Sequence, residues 1–169
     1  KNGIVNIDNI NEIERVCKLA ESNPKKQINI GIRVNFDIGN NLISRFGIDA
    51  ESNSLPEAIE ILRRYPNIKV IGLHYHISRA RSLEAWKKRV ETMLDLADKY
   101  IETTPKYINL GSGMYGQMAN NLKAQFTGDI PSYKEYAEIV ADTFKQHYIH
   151  LPDSDKPMLI TEPGTTLVA

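Results

Sequence analysis

The chain has 169 residues, with 21 Lys+Arg against 21 Asp+Glu, 41% hydrophobic residues and one cysteine, the make-up of an ordinary folded domain. Zero formal net charge without a Lys/Arg cluster argues against a nucleic-acid partner or an anionic-membrane surface, and no apolar run approaches the roughly 18 residues of a bilayer-spanning helix. The lone Cys17 has no partner for an intrachain disulfide, so stability rests on a packed core, as expected for a reducing, cytoplasmic setting. No charged n-region followed by an apolar h-region opens the chain, so no secretory signal is expected. The first residue is Lys1 rather than Met, which reads as a segment of something longer.

In chain order, short β-branched runs alternate with longer amphipathic stretches, the pattern of βαβ units. Ile4 to Ile7 reads as a strand, followed by Asp8/Asn9 as N-cap and a helix with Ile10, Ile13, Val16, Cys17 and Ala20 on its apolar face. A second strand is expected over residues 28–35, ended by a polar loop from Asp37 to Asn53 that contains Ser44-Arg45-Phe46-Gly47. Ser54-Leu55-Pro56-Glu57 reads as a capping box opening a helix through Leu55, Ala58, Ile59, Leu62 and Tyr65. The third strand is expected over 68–76, and Ser82 caps a helix carrying Trp86, Val90, Met93, Leu94, Ala97 and Tyr100. A fourth strand over 106–110 runs into Gly111-Ser112-Gly113. Ser132-Tyr133-Lys134-Glu135 is a second capping box, and a fifth strand over 158–162 ends at Glu162-Pro163-Gly164. No composition break or repeat divides the chain, so one domain or one piece of one is expected. Five strands suit either a flavodoxin-like open sheet or an arc of an eight-stranded barrel, which takes about 250 residues.

Reactive side chains gather where strands hand over to loops: Arg33, His74 and His76, Gly111 and Gly113, and Glu162. In parallel α/β folds that carboxyl edge is where sites are built. Strand alternation puts His74 and His76 on one side and Tyr75 on the other, so two imidazoles can share a site. Gly-Ser-Gly directly after a strand is either a tight turn or a set of bare amides able to approach an anion. Glu162 is either a solvated carboxylate or one that holds a cationic ring nitrogen in a cleft.

Four segments taken in order carry a family resemblance: Ser44-Arg45-Phe46-Gly47, Gly72-Leu73-His74-Tyr75-His76-Ile77, Asn109-Leu110-Gly111-Ser112-Gly113, and Glu162-Pro163-Gly164 continuing through Thr165 to Ala169. Together they resemble the fold-type III pyridoxal-phosphate decarboxylases, the diaminopimelate and ornithine/arginine decarboxylase family. The resemblance implies an alanine-racemase-like α/β fold, a partial (β/α)8 TIM barrel with parallel strands and the site at their carboxyl ends, residues 1–169 forming part of the pyridoxal-binding barrel domain. It implies pyridoxal 5'-phosphate as cofactor, a small-molecule amino-acid substrate, a homodimer and decarboxylation through loss of CO₂ into a pyridinium electron sink. His76 resembles the imidazole that stacks on the pyridine ring, Gly111 and Gly113 part of the phosphate loop, and Glu162 the partner of the pyridine nitrogen. Arg33 resembles a basic residue of the barrel interior. His74, Ser78, Ser112, Gly164 and Thr165 complete the expected cofactor-binding set, with no metal ligand among them.

The chain also departs from the family. Ile77 is followed by Ser78 and Arg79 where the family has Gly-Ser, Ser112 replaces the middle Gly, and Thr165 stands where the family has a phosphate-binding Arg. Ser78, Arg79, Ser112 and Thr165 are therefore candidate replacements for lost phosphate contacts, as in a divergent branch. The family's Schiff-base Lys and its C-terminal β-domain are expected outside this segment, which would leave it inactive alone. Two other readings remain open: a barrel metal-dependent hydrolase using His74 and His76 but short of further ligands, and a non-catalytic pyridoxal-binding pseudoenzyme.

Overall fold

The computed structural model describes residues 3–39, 44–126 and 128–164. Thr165 and the segment after it lie outside the described residues, as do residues 40–43 of the polar loop. The elements run β1 (Asn6–Ile7), α1 (Ile10–Ser22), β2 (Ile28–Asn35), β3 (Ile48–Asp49), α2 (Ser54–Arg63), β4 (Ile68–His74), α3 (Leu83–Tyr100), β5 (Tyr107–Asn109), α4 (Asn120–Lys123), α5 (Tyr133–His147), a 3-10 turn (Asp153–Asp155) and β6 (Met158–Ile160). All five expected strands are present, most of them trimmed at an end. Three elements go beyond the expected set: α4, the 3-10 turn, and β3 inside the polar loop, where Ile48 and Asp49 pair with Val34 and Asn35.

The strands pair in parallel in the order β1-β2-β4-β5-β6, with β3 hung on β2. A flavodoxin-like sheet reverses its strand order at a switch point. Here the order follows the sequence without reversal, as in an arc of a barrel. The fold is thus a partial (β/α)8 barrel, and among the described residues β1 and β6 each have one free edge.

Local sequence explains the helix starts. The Asn9 side chain accepts from Glu12 N–H and opens α1, Ser82 does the same for α3 through Ala85 N–H, and Ser132 with Glu135 forms the expected reciprocal box on α5. The box expected at Ser54 does not form. Ser54 is already helical, and the preceding Asn53 makes no side-chain cap. Pro56 has no N–H to offer, and the Glu57 N–H that Ser54 would need is taken by the Asn53 carbonyl at 3.0 Å.

Register sorts the sheet into two faces. Ile7, Ile32, Leu73 and Ile108 are aligned across four strands, all fully buried. The apolar stripes of the helices close over this face in one core, including Ile13, Cys17, Leu55, Leu62, Trp86 and Met93. Each such aliphatic side chain contributes about 1.5–3 kcal/mol when fully buried. One residue back, Asn6, Gly31, Gly72 and Tyr107 are aligned on the opposite, inner face. The Tyr107 ring lies across the two glycines: a Cβ on Gly72 would stand 2.5 Å from its Cε1 and one on Gly31 1.8 Å from its hydroxyl. That hydroxyl donates to Asn6 Oδ1, so the ring forms a floor beneath the carboxyl ends.

Gly72→Ala in the full-length protein should lower unfolding free energy by about 1–3 kcal/mol, the usual cost of overpacking. In a Tyr107→Leu background the same substitution should cost clearly less, measured by urea denaturation. An undiminished cost would contradict this assignment of the floor.

Candidate active site

Above the Tyr107 floor, register brings a second inner layer together. Arg33 pairs with His74 and His74 with Asn109, so residues from three strands stand at one level and face the same way. His76 lies two residues beyond His74, and Glu162 two beyond Ile160, the β6 partner of Asn109. Tyr75 turns to the other face as expected, stacking on Phe36 at 4.2 Å and donating its hydroxyl to the Phe36 carbonyl.

The Glu162 carboxylate is the hub. His76 Nδ1 lies 2.8 Å from Oε2, the Asn109 amide donates to Oε1 at 2.9 Å, and His74 Nε2 stands 3.4 Å from Oε1. The Glu162 N–H is tied to the Gly111 carbonyl at 2.8 Å, fixing the backbone of the hub against the Gly-Ser-Gly loop. Burial pushes the Glu162 carboxyl pKa up, but the hydrogen bonds from His76 and Asn109, with the two imidazoles adding attraction in their protonated forms, outweigh it and hold the group below its ordinary value. Burial drives His74 the other way from a carboxyl: its pKa is lowered, with Arg33 and His76 adding to the effect and Glu162 opposing it. Arg33 is anchored by Asp8 at 3.0 Å. An anionic carboxylate thus faces a neutral imidazole, with a guanidinium behind.

On the outer side of His76 opens a cavity of about 590 Å³ lined by Arg33, Ser44, Arg45, Phe46, His76, Ile77, Ser78 and Arg79. The structure therefore gathers Arg33, His74, His76 and Glu162 into one cluster and sets Ser78 and Arg79 beside it. Gly111 and Gly113 adopt φ of 68° and 101°, and a Cβ at either would collide with the carbonyl of Tyr75 or Ile77. One expectation needs correcting: the Gly111 N–H is not bare, because Asn109 Oδ1 accepts it at 2.9 Å. The Gly113 N–H makes no hydrogen bond to another described residue. Gly164 is exposed, with open space around its Cα. The cluster also answers the missing-ligand objection to a metal site. One ligand atom each from His74, His76 and Glu162 lie within 4.8 Å of one another, close enough to share a divalent ion.

Sequence reasoning missed Asn109, Asp8 and Arg89. Asn109 was legible, since it precedes Gly111 by the same two-residue step that links His74 to His76. Asp8 reads, with Asn9, as a helix cap, and its pairing with a residue 25 positions away has no local signal. Arg89 lies on the face of α3 that its periodicity assigns to the core, where a cation is not expected.

The family described as "Pyridoxal-dependent decarboxylase, pyridoxal binding domain" matches residues 1–169. The chain belongs to this family. It is 24% identical over 178 residues to diaminopimelate decarboxylase of Methanocaldococcus jannaschii, covering 97% of this chain and 38% of that protein. The crystal structure of the same enzyme superposes with a TM-score of 0.70 at 22% identity, over 95% of this chain and 38% of that one. The arginine decarboxylase of Paramecium bursaria Chlorella virus gives 0.66 at 18% identity, over 95% and 39%. The decarboxylase-family chain thus spans about two fifths of the length of the proteins it matches, and it shares their barrel fold.

Depressed pKa values at His74 and Glu162 set two pH windows. In both groups the folded state binds its proton less readily than the unfolded state, so stability is full above the unfolded value and lost as pH falls through the folded one. Urea midpoints of the full-length protein should decline below about pH 6.5 and again below about 4.5, the ordinary values of the two groups. His74→Gln should remove the first decline, and Glu162→Gln should shrink the second, which Glu84, Glu135 and Asp153, also held below their ordinary values, share. A wild-type profile flat from pH 7 to 4 would contradict the electrostatic assignment.

Proposed function

We propose that the protein carrying this chain is a pyridoxal-phosphate-dependent amino-acid decarboxylase, and that the Glu162 cluster is the cofactor's ring site. Family membership supports the chemistry, and the observation that carries the siting is an anionic carboxylate held by His76 and Asn109 at the strand carboxyl ends, beside free amides. The residues fit the group. Glu162 offers an acceptor kept ionised, Ser78 and Gly113 offer unengaged N–H donors, and the adjoining cavity is lined by Arg33 and Arg79 without a carboxylate.

When bound, pyridoxal phosphate supplies a protonated pyridine ring that withdraws the electron pair left as the carboxyl group departs. Glu162 keeps the proton on the ring nitrogen, since a carboxylate beside that atom favours its charged form. His76, its Nδ1–H fixed on Glu162 Oε2, presents an imidazole as the ring's packing face. Arg33 adds positive potential, and Ser78, Arg79, Ser112, Gly111, Gly113, Gly164 and Thr165 are assigned to the phosphate end. The substrate is an amino acid, a small molecule, and the enzyme is a homodimer on the strength of the resemblance. A single buried Cys17 supports a cytoplasmic setting. Among the described residues no helix is long and apolar enough to cross a membrane.

In the full-length protein, Glu162→Gln should leave cofactor occupancy near wild type while turnover on an amino-acid substrate drops by about 100-fold or more. Gln still reaches the ring nitrogen but stabilises its protonated form far less, so the loss falls on the transition state rather than on binding. Steady-state kinetics with occupancy followed by absorbance measures both. Near-normal turnover would remove Glu162 from the chemistry.

A further inference from the structure

Arg89 is fully buried in the middle of α3 and forms no ion pair among the described residues. Its guanidinium spends its Nη donors on backbone: Nη1 on the carbonyls of Leu110 at 3.1 Å and Ser112 at 2.6 Å, Nη2 on those of Ile77 at 3.4 Å and Ala80 at 3.2 Å, while the buried Nε has no partner among the described residues. The group lies over the Trp86 ring at 4.3 Å and the Tyr75 ring at 5.3 Å, and Trp86 Nε1 adds a bond to the Gly113 carbonyl at 3.0 Å. One helix side chain thus ties the loop after β4 to the loop after β5. Burial lowers its pKa to about 10, which leaves it charged at neutral pH.

The consequence lies on the far side of the same peptide groups. In a trans peptide the N–H points opposite to the C=O, and no described peptide bond is cis. With the Ser112 and Ile77 carbonyls drawn onto the guanidinium, the N–H groups of Gly113 and Ser78 are turned away from Arg89. Neither has an acceptor among the described residues. A cation on the carbonyl polarises the peptide and strengthens its N–H as a donor, and paired free amides beside positive φ glycines form an anion-binding concavity. The Nη donors of Arg89 are all taken by carbonyls, so it acts on the amides rather than as an anion ligand itself.

We propose that Arg89 is a positioning residue that orients and polarises the Gly113 and Ser78 amides as a pair of phosphate donors. This rests on the pyridoxal-phosphate reading of the site and adds a residue to it that touches neither cofactor nor substrate. It accounts for a buried unpaired cation in a helix, where an apolar side chain would pack at lower cost.

The test compares pyridoxal phosphate with pyridoxal, which lacks the phosphate, as ligands of the full-length apoprotein, titrated by absorbance. In Arg89→Met, affinity for pyridoxal phosphate should fall at least tenfold while that for pyridoxal stays within about twofold, and Arg89→Lys should recover part of the difference. Parallel losses for both ligands, or no loss for either, would overturn the proposal. Should neither variant fold, wild type labelled with 15N-glycine and 15N-arginine decides. Inorganic phosphate must then shift the Gly113 amide and the Arg89 guanidinium signals together, and a Gly113 shift without an Arg89 shift overturns the proposal. Wild type that takes up neither pyridoxal compound overturns the cofactor reading itself, a different outcome from equal losses in the variant.

Discussion

Parallel register is the constraint on which the site depends. Because Arg33, His74 and Asn109 are Cα partners on adjacent strands, a slip of one residue in any strand would turn its member into the helix-packed core and bring an aliphatic side chain to the inner face. The apolar layer of Ile7, Ile32, Leu73 and Ile108 forbids that slip, since each would have to leave a fully buried position. Core packing and site geometry are therefore two readings of one alignment. Packing energy on the outer face holds polar groups in place on the inner one.

Two charged groups anchor the loops that extend this layer, and they do so in opposite ways. Glu162 is half-exposed and is held by hydrogen bonds from His76 and Asn109, so its position follows from polar attraction on the inner face. Arg89 is sealed in the core and meets only carbonyl dipoles and aromatic rings. Between them runs the Gly111-to-Gly113 loop, bonded to Glu162 through the Gly111 carbonyl and to Arg89 through the Ser112 carbonyl. The loop has no room for a Cβ at either glycine, which explains the two glycines by close backbone approach as well as by φ. The replacement of the middle glycine by Ser112 is compatible with this packing, because only the flanking positions are obstructed.

The sequence made the strand ends legible, since β-branched runs, cap residues and the Gly-Ser-Gly and Glu-Pro-Gly punctuation are local signals. His74 and His76 could be placed on one face by alternation alone, and Glu162 could be placed at the same edge. What escaped was non-local. Whether five strands curl into a barrel arc or wind both ways depends on strand order, which no local pattern states. The Asp8–Arg33 and Arg89 contacts join residues far apart in the chain, and Ile48–Asp49 pairs with β2 from within a stretch whose polar composition hid a strand. The Ser54 box failed for a local reason that was available: with Pro56 next in line, the only N–H left to cap was already claimed by Asn53.

The central claim is that the Glu162 cluster is a pyridoxal ring site and not a metal centre, although its three ligand atoms could serve either. The most direct measurement is the visible spectrum and metal content of the full-length protein purified without added cofactor or metal. A pyridoxal absorption band at wavelengths beyond the protein's own, lost on dialysis against a carbonyl-trapping amine and with no stoichiometric metal, is the predicted result. One divalent ion per chain, removed by His74→Gln and accompanied by no such band, would contradict it.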